Sequence, residues 1–165
     1  MSNKKERKVA FIDRDCALIH EPQDTFQVDT VGQLQILPGV VKGLQGLIRY
    51  GYRLVMVTNQ DGLGSPANPL VNFETVQAEL LRRLHVQGID FHRIFVCPHF
   101  PEEKCRCRKP QITLVQDFIM NEGPLDFGKS LMVGDRDTDG EFAKRIGIRF
   151  FKMDTNGLFP DIKPY

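Results

Sequence analysis

No stretch of this chain approaches the ~20 consecutive apolar residues that span a bilayer, so the sequence predicts no membrane segment. Nor is there a surplus of one charge. Lys and Arg number 22 against 21 Asp and Glu, a net +1 at neutral pH, whereas a nucleic-acid protein shows its basic residues clustered on some face. The one basic cluster, "NKKERK" at the N-terminus, has no apolar segment after it, so it predicts a frayed, solvated tail rather than a targeting signal. Internal repeats and low-complexity linkers are missing too. A length of 165 residues is the size of one domain with a single well-buried core. The expectation is one soluble, cytoplasmic domain over 1–165, with no nucleic-acid or membrane partner.

The chain has four cysteines, and they do not read as a disulfide framework. Cys97, Cys105 and Cys107 crowd into "CPHFPEEKCRC" with His99, which is poor spacing for bridging and good spacing for gripping a metal in a reduced compartment. Three thiolates and one imidazole fill a tetrahedral zinc site and leave no open position for water, the mark of a structural ion. A zinc loop over 97–107 would stiffen a connection with too little apolar content to order itself. It would also fix where Arg108 and Lys109, which follow directly, are aimed.

Apolar, β-branched runs alternate with segments of helical period, the pattern of βαβ units. "KVAFID" (8–13), "YRLVMVT" (52–58), "RIFVC" (93–97), "SLMVGD" (130–135) and "IRFFKM" (148–153) are the candidate strands. Between them, "VVKGLQGLIRYG" sets Val40, Leu44, Leu47 and Ile48 on one face, and "FETVQAELLRRLHVQG", "ITLVQDFIMNEG" and "TDGEFAKRIG" supply three more crossovers. The fold class expected is α/β: a doubly wound, Rossmann-like parallel sheet of about five strands with helices on both faces. Three connections, 16–37, 59–72 and 97–110, are long for simple turns, and all leave from carboxyl ends of strands, where open parallel sheets bind ligands.

At those ends the sequence puts chemistry. Asp13 closes the first candidate strand with Asp15 just beyond, Thr58 closes the second, Asp135 the fourth, and Lys109 leaves the long loop before a helix. Two acids one residue apart repel each other unless a positive charge sits between them. An acidic cluster with one Lys and one Thr suits a magnesium ion holding a phosphate: hard oxygens for the metal, an ammonium and a hydroxyl for the remaining phosphoryl oxygens.

In this order, "DRD" after the first strand, "TN" after the second, "CRKP" before a helix and "GDRDTD" after the fourth, the chain resembles the haloacid dehalogenase superfamily of aspartate-nucleophile phosphatases over nearly its whole length. The resemblance implies that Asp13 attacks phosphorus and forms an aspartyl phosphate while Asp15 is the general acid and base. It implies that Thr58, Asn59 and Lys109 bind the phosphoryl group, and that Asp135 holds Mg2+ with Asp13 and the backbone carbonyl of Asp15. Cys16 and Ala17 depart from the family's usual Gly-Thr. If position 16 is left-handed, the side chain costs about 1 to 2 kcal/mol, so a slower or less stable enzyme is expected.

A zinc loop ending in "CRKP" is similar to a branch without a large cap domain that contains histidinol-phosphate and heptose bisphosphate phosphatases. "EPQDTFQVD" and "TNQDGLG" resemble the histidinol-phosphate side of it, and "NQDGLGSPANPL" carries no Lys or Arg for a second phosphate. The resemblance implies L-histidinol phosphate, a small-molecule phosphomonoester, as substrate, with Glu21, Gln27, Asp61 and Arg108 as candidate contacts, and possible fusion or association with a dehydratase of the same pathway. Whether the chain stands alone or is one domain of such a fusion is left open. A heptose 1,7-bisphosphate or other small-phosphate phosphatase is the alternative, and a catalytically lapsed, zinc-stabilised binding module is the alternative of another class.

Overall fold

The computed structural model describes residues 6–163. Five strands, β1 (Lys8–Ile12), β2 (Tyr52–Asn59), β3 (Arg93–Cys97), β4 (Leu131–Gly134) and β5 (Arg149–Lys152), form one sheet in the order β3-β2-β1-β4-β5. All four pairings are parallel. Central parallel strands are covered on both faces and so read as continuous apolar runs rather than alternations, which is why "VAFI" and "LVMV" were legible as strands. The α/β expectation holds, and among the described residues no inserted cap domain interrupts it.

Four helices carry the crossovers: α1 (Val40–Arg49), α2 (Leu70–His85), α3 (Thr113–Asn121) and α4 (Asp137–Ile146). Successive strand residues point to opposite faces. Ala10, Ile12, Leu54 and Met56 therefore meet Leu44 and Leu47 of α1 and Leu80 and Leu84 of α2. Val9, Phe11, Val55 and Val57 meet Val115 and Phe118 of α3 and Phe142 and Ile146 of α4. Phe11 stands edge-on to both Phe118 and Phe142, with ring centroids 6.1 and 5.9 Å away. Each such buried side chain contributes roughly 1.5–3 kcal/mol, so the two layers of helices stabilise the sheet from both faces.

Two boundaries differ from the sequence reading. α2 begins at Leu70 rather than Phe73, because Pro69, extended at φ −62 and ψ 131, ends the loop immediately before it. The basic N-terminal cluster is no frayed tail where it is described. Arg7 is buried, donates from Nη2 to Phe118 O at 3.1 Å and Gly123 O at 2.6 Å, and lies 4.7 Å over the Phe118 ring. Its charge satisfies the carbonyls at the end of α3, a use of arginine that composition does not reveal. Residues 1–5 lie outside the described residues. Among the described residues no helix is long and apolar enough to cross a membrane.

β1 lies between β2 and β4, so consecutive strands run outward on one side and return on the other. The crevice at that reversal, beyond the carboxyl ends of β1 and β4, is where doubly wound sheets place ligands.

Candidate active site

Asp13 leaves β1 at this crevice, its N–H donating to Val133 O of β4 at 3.0 Å. Lys109 reaches the same point from the loop before α3. Its Nζ donates to Asp13 Oδ1 at 2.8 Å and to Asp139 Oδ1 at 2.7 Å, and all three groups are buried. Asp13 Oδ1 also accepts the Arg14 N–H at 2.9 Å, which leaves Oδ2 as the oxygen without a donor among the described residues. Burial pushes the Asp13 carboxyl up to about 7, with Asp139 and Asp15 adding to the rise and Lys109 opposing it. Burial alone would lower the Lys109 ammonium, but Asp13 and Asp139 outweigh it and hold it above its ordinary value.

Asp13, Asp135 and Asp139 each offer a carboxylate oxygen, and the three lie within 4.8 Å of one another. Asp135 Oδ2 accepts the Thr155 hydroxyl at 2.8 Å, whereas its Oδ1 is buried with no hydrogen-bond partner among the described residues. A buried carboxylate oxygen left without a donor is costly, and a hard divalent cation among three acids removes that cost. The donor set therefore fits magnesium. Room for it depends on Gly134. A Cβ there would fall 2.2 Å from Asp139 Oδ2, so only glycine lets the α4 carboxylate tuck under the end of β4.

The carboxylate of Asp15 is not in this group. Its Oδ1 accepts Arg14 Nη1 at 2.8 Å and its Oδ2 accepts Gln60 Nε2 at 2.6 Å. Gln60 Nε2 also donates to the buried Thr58 hydroxyl at 2.8 Å, so one amide links two of the expected functional side chains. Asn59 comes to the site as well, but both ends of its amide are engaged with the Lys109 main chain, at 3.0 and 3.2 Å.

Comparison with known proteins places the chain among relatives. A family model described as "HAD-hyrolase-like" matches residues 106–157. The histidine biosynthesis bifunctional protein HisB of Campylobacter jejuni subsp. doylei is 42% identical over 146 residues, 88% of this chain and 41% of the relative. The protein of the same name from Buchnera aphidicola subsp. Schizaphis graminum is 40% identical over 156 residues, 93% of this chain and 44% of the relative. Among solved structures, D,D-heptose 1,7-bisphosphate phosphatase from B. bronchiseptica, complexed with magnesium and phosphate, aligns with a TM-score of 0.76 at 26% identity, covering 87% of this chain and 78% of that one. The chain belongs to the haloacid dehalogenase-like hydrolases. It spans less than half the length of the curated HisB relatives it matches.

Against the usual pattern of these hydrolases, Cys16 takes φ 64, the left-handed conformation that the family's glycine would adopt freely. The strain anticipated for that position is therefore present. Its thiol is buried and donates to Glu21 Oε2 at 3.2 Å. Burial and then the Glu21 charge push the thiol well above its ordinary range, which disfavours the thiolate. Ala17 is fully enclosed in the core beneath.

A cleft of ≈ 340 Å³ opens next to the carboxylates, lined by Asp15, Glu21, Gln27, Asp61, Phe100 and Arg136 among others. Gly62 makes it possible for Phe100 to form a wall, since a Cβ at 62 would fall 2.0 Å from the ring. The cleft is not the cation-free surface expected from "NQDGLGSPANPL". Arg136, at the start of α4, faces it and pairs with Glu21 Oε2 at 2.9 Å, and Asp61 is ion-paired with Arg108. Two of the residues expected to meet substrate thus satisfy each other. Gln27 lies on the rim with its amide on Asp29.

Cys97, His99, Cys105 and Cys107 converge as their spacing predicts. The sulfurs are 3.0 to 3.6 Å apart, and His99 Nδ1 is 3.2 Å from Cys107 Sγ and 3.6 Å from Cys97 Sγ. A tetrahedron with Zn–S bonds of ~2.3 Å has edges of about 3.8 Å, so the cluster is drawn somewhat tighter than a zinc tetrahedron while its donor set, three thiols and one imidazole, fits a closed zinc site. For Cys105, burial raises the thiol, but the N–H groups of Arg108 and Cys107 and the neighbouring thiols outweigh it and hold it down to about 7. Burial pushes the Cys97 and Cys107 thiols the other way, so Cys105 alone of the three leans toward the thiolate a metal needs.

Reading the sequence missed Asp139, Gln60, Arg14 and Arg136. Asp139 had a signal: it lies one helical turn past Asp135 in "GDRDTDG", in the first turn of a helix. Gln60 had only its place after "TN". The contact between Arg136 and Glu21 joins residues 115 positions apart and has no local signature.

Proposed function

We propose that this chain is a magnesium-dependent phosphomonoesterase that hydrolyses L-histidinol phosphate to L-histidinol and phosphate by way of an aspartyl phosphate. The observation that carries the reading is the convergence of Asp13, Lys109, Asp135 and Asp139 at the β1/β4 crevice, with Asp15 at the mouth of the adjoining cleft.

In this reading Asp13 Oδ2 attacks phosphorus and the bond to the substrate oxygen breaks, that oxygen taking a proton from Asp15. A water then gives its proton back to Asp15 and attacks the phosphoaspartate, releasing phosphate and restoring Asp13. Lys109 holds the nucleophile and neutralises the incoming phosphoryl oxygens, with Thr58 contributing its hydroxyl. Gln60 and Arg14 fix both oxygens of Asp15 so that the proton meets the leaving group. Asp13, Asp135, Asp139 and the carbonyl of Asp15 would hold the magnesium, which supplies charge neutralisation to the phosphoryl oxygens. Zinc held by the four-residue cluster would fix the loop from which Lys109 projects.

The substrate is argued from the acids in the cleft and from the relatives. Glu21 Oε2 is taken by Arg136 and the Cys16 thiol, so it is Glu21 Oε1 that suits a cationic head, and HisB proteins are named for histidine biosynthesis. Since those relatives are bifunctional and more than twice as long, a dehydratase of the same pathway is the proposed companion, fused or associated. A second reading, a heptose 1,7-bisphosphate phosphatase, is supported by the B. bronchiseptica neighbour and by Arg108 and Arg136 at the cleft. The test is phosphate release with magnesium on both substrates, side by side, with Asp13→Asn as the inactive control. Preference for the bisphosphate would replace the histidinol reading, and release from neither would remove both.

A further inference from the structure

The segment after β5 folds back across the crevice and ends its turn at Asn156, in the left-handed region at φ 54. Its side chain meets the main chain of Glu21 reciprocally: Oδ1 accepts the Glu21 N–H at 2.8 Å, and Nδ2 donates to Glu21 O at 2.9 Å. Its own N–H donates to Cys16 O at 3.2 Å. Two segments 135 positions apart are thereby joined as two strands would be, with one amide replacing a backbone partner. Glu21 sits in the long connection after β1, outside any strand or helix. The carboxylate it carries is one of the few acids facing both the crevice and the cleft.

Asparagine is the residue, glycine apart, that most readily adopts a left-handed turn. Glycine would make the same turn but could not hold Glu21. We propose that Asn156 is a positioning residue for substrate recognition: it fixes the Glu21 main chain and so aims the Glu21 carboxylate at the cationic head of the substrate. The inference rests on the reading of Glu21 as a substrate contact.

Asn156→Gly keeps the turn and removes the amide. With L-histidinol phosphate it should raise KM about tenfold and leave kcat within about twofold, while KM for p-nitrophenyl phosphate, which has no cationic head, stays within about twofold. Combined with Glu21→Gln it should raise KM no further than Glu21→Gln alone. Asn156→Asp, which keeps the acceptor and loses the donor, should fall between wild type and Asn156→Gly, with thermal unfolding followed for each. An equal KM rise on both substrates, a kcat loss on both, an unchanged KM for histidinol phosphate, or failure of both variants to fold would overturn the proposal. A wild-type protein with no preference for histidinol phosphate over p-nitrophenyl phosphate would instead refute the substrate reading, and the inference with it.

Discussion

Asn59 grips the main chain of Lys109 at both ends, its Oδ1 accepting the Lys109 N–H at 3.0 Å and its Nδ2 donating to the Lys109 carbonyl at 3.2 Å. The last residue of β2 thus fixes the base of a side chain whose tip lies between two acids. Removing the amide leaves only the cysteine-rich loop and the two acids at its tip to set the direction of Lys109.

Asn59→Ala should therefore lower kcat on any phosphomonoester by about ten- to a hundredfold and stability by roughly 1–2 kcal/mol. Steady-state kinetics and urea denaturation measure the two effects. Turnover within twofold of wild type would show that the zinc loop aims Lys109 unaided.

Asp139 and Gly134 form a matched pair. Asp139→Asn should raise the half-saturating magnesium concentration at least about tenfold, because a charged ligand becomes neutral. Gly134→Ala should reach a similar defect from the other side of the contact, since its methyl occupies the place of the Asp139 carboxylate. Magnesium titrations of activity in the two variants that match wild type would disprove the role of Asp139.

Strain at Cys16 can be isolated by comparing two truncations rather than by comparing either with wild type, because both lose the thiol and its bond to Glu21. Cys16→Gly should be more stable than Cys16→Ala by about 1 kcal/mol. For a chain of this size that is a melting temperature roughly 2–4 °C higher. The reverse order in differential scanning calorimetry would mean that φ 64 costs nothing here.

Zinc content should be about one ion per chain, measured by atomic emission on protein prepared without added metal. Stripping it with magnesium saturating should reduce kcat at least about tenfold while β1, β2 and β4 stay folded, since the cluster stiffens the loop that carries Lys109. Cys105→Ser should do the same without a chelator. Full activity in the zinc-free, folded protein would separate the two metal sites functionally.

The strands and crossovers could be read from the sequence because burial on both faces demands unbroken apolar runs, and "VAFI" and "LMVG" permit little else. The Cys97, His99, Cys105 and Cys107 cluster was legible for a related reason: its members come from one short segment, so their spacing is nearly their geometry. Asp13, Thr58, Lys109 and Asp135 could be placed together once the strands were ordered, since parallel strands deliver their ends to one rim.

Local sequence by itself determined which elements form and which chemistry stands at their ends, because periodicity, glycine stops and metal-ligand spacing act over a few residues. Tertiary structure alone decided that Asp139 shares Lys109 with Asp13, that Asp61 pairs with Arg108, and that Asn156 holds Glu21. Each of those contacts joins residues far apart along the chain. Whether a carboxylate meets a ligand, a metal or a neighbouring guanidinium depends on which segments the packed sheet brings within about 3 Å.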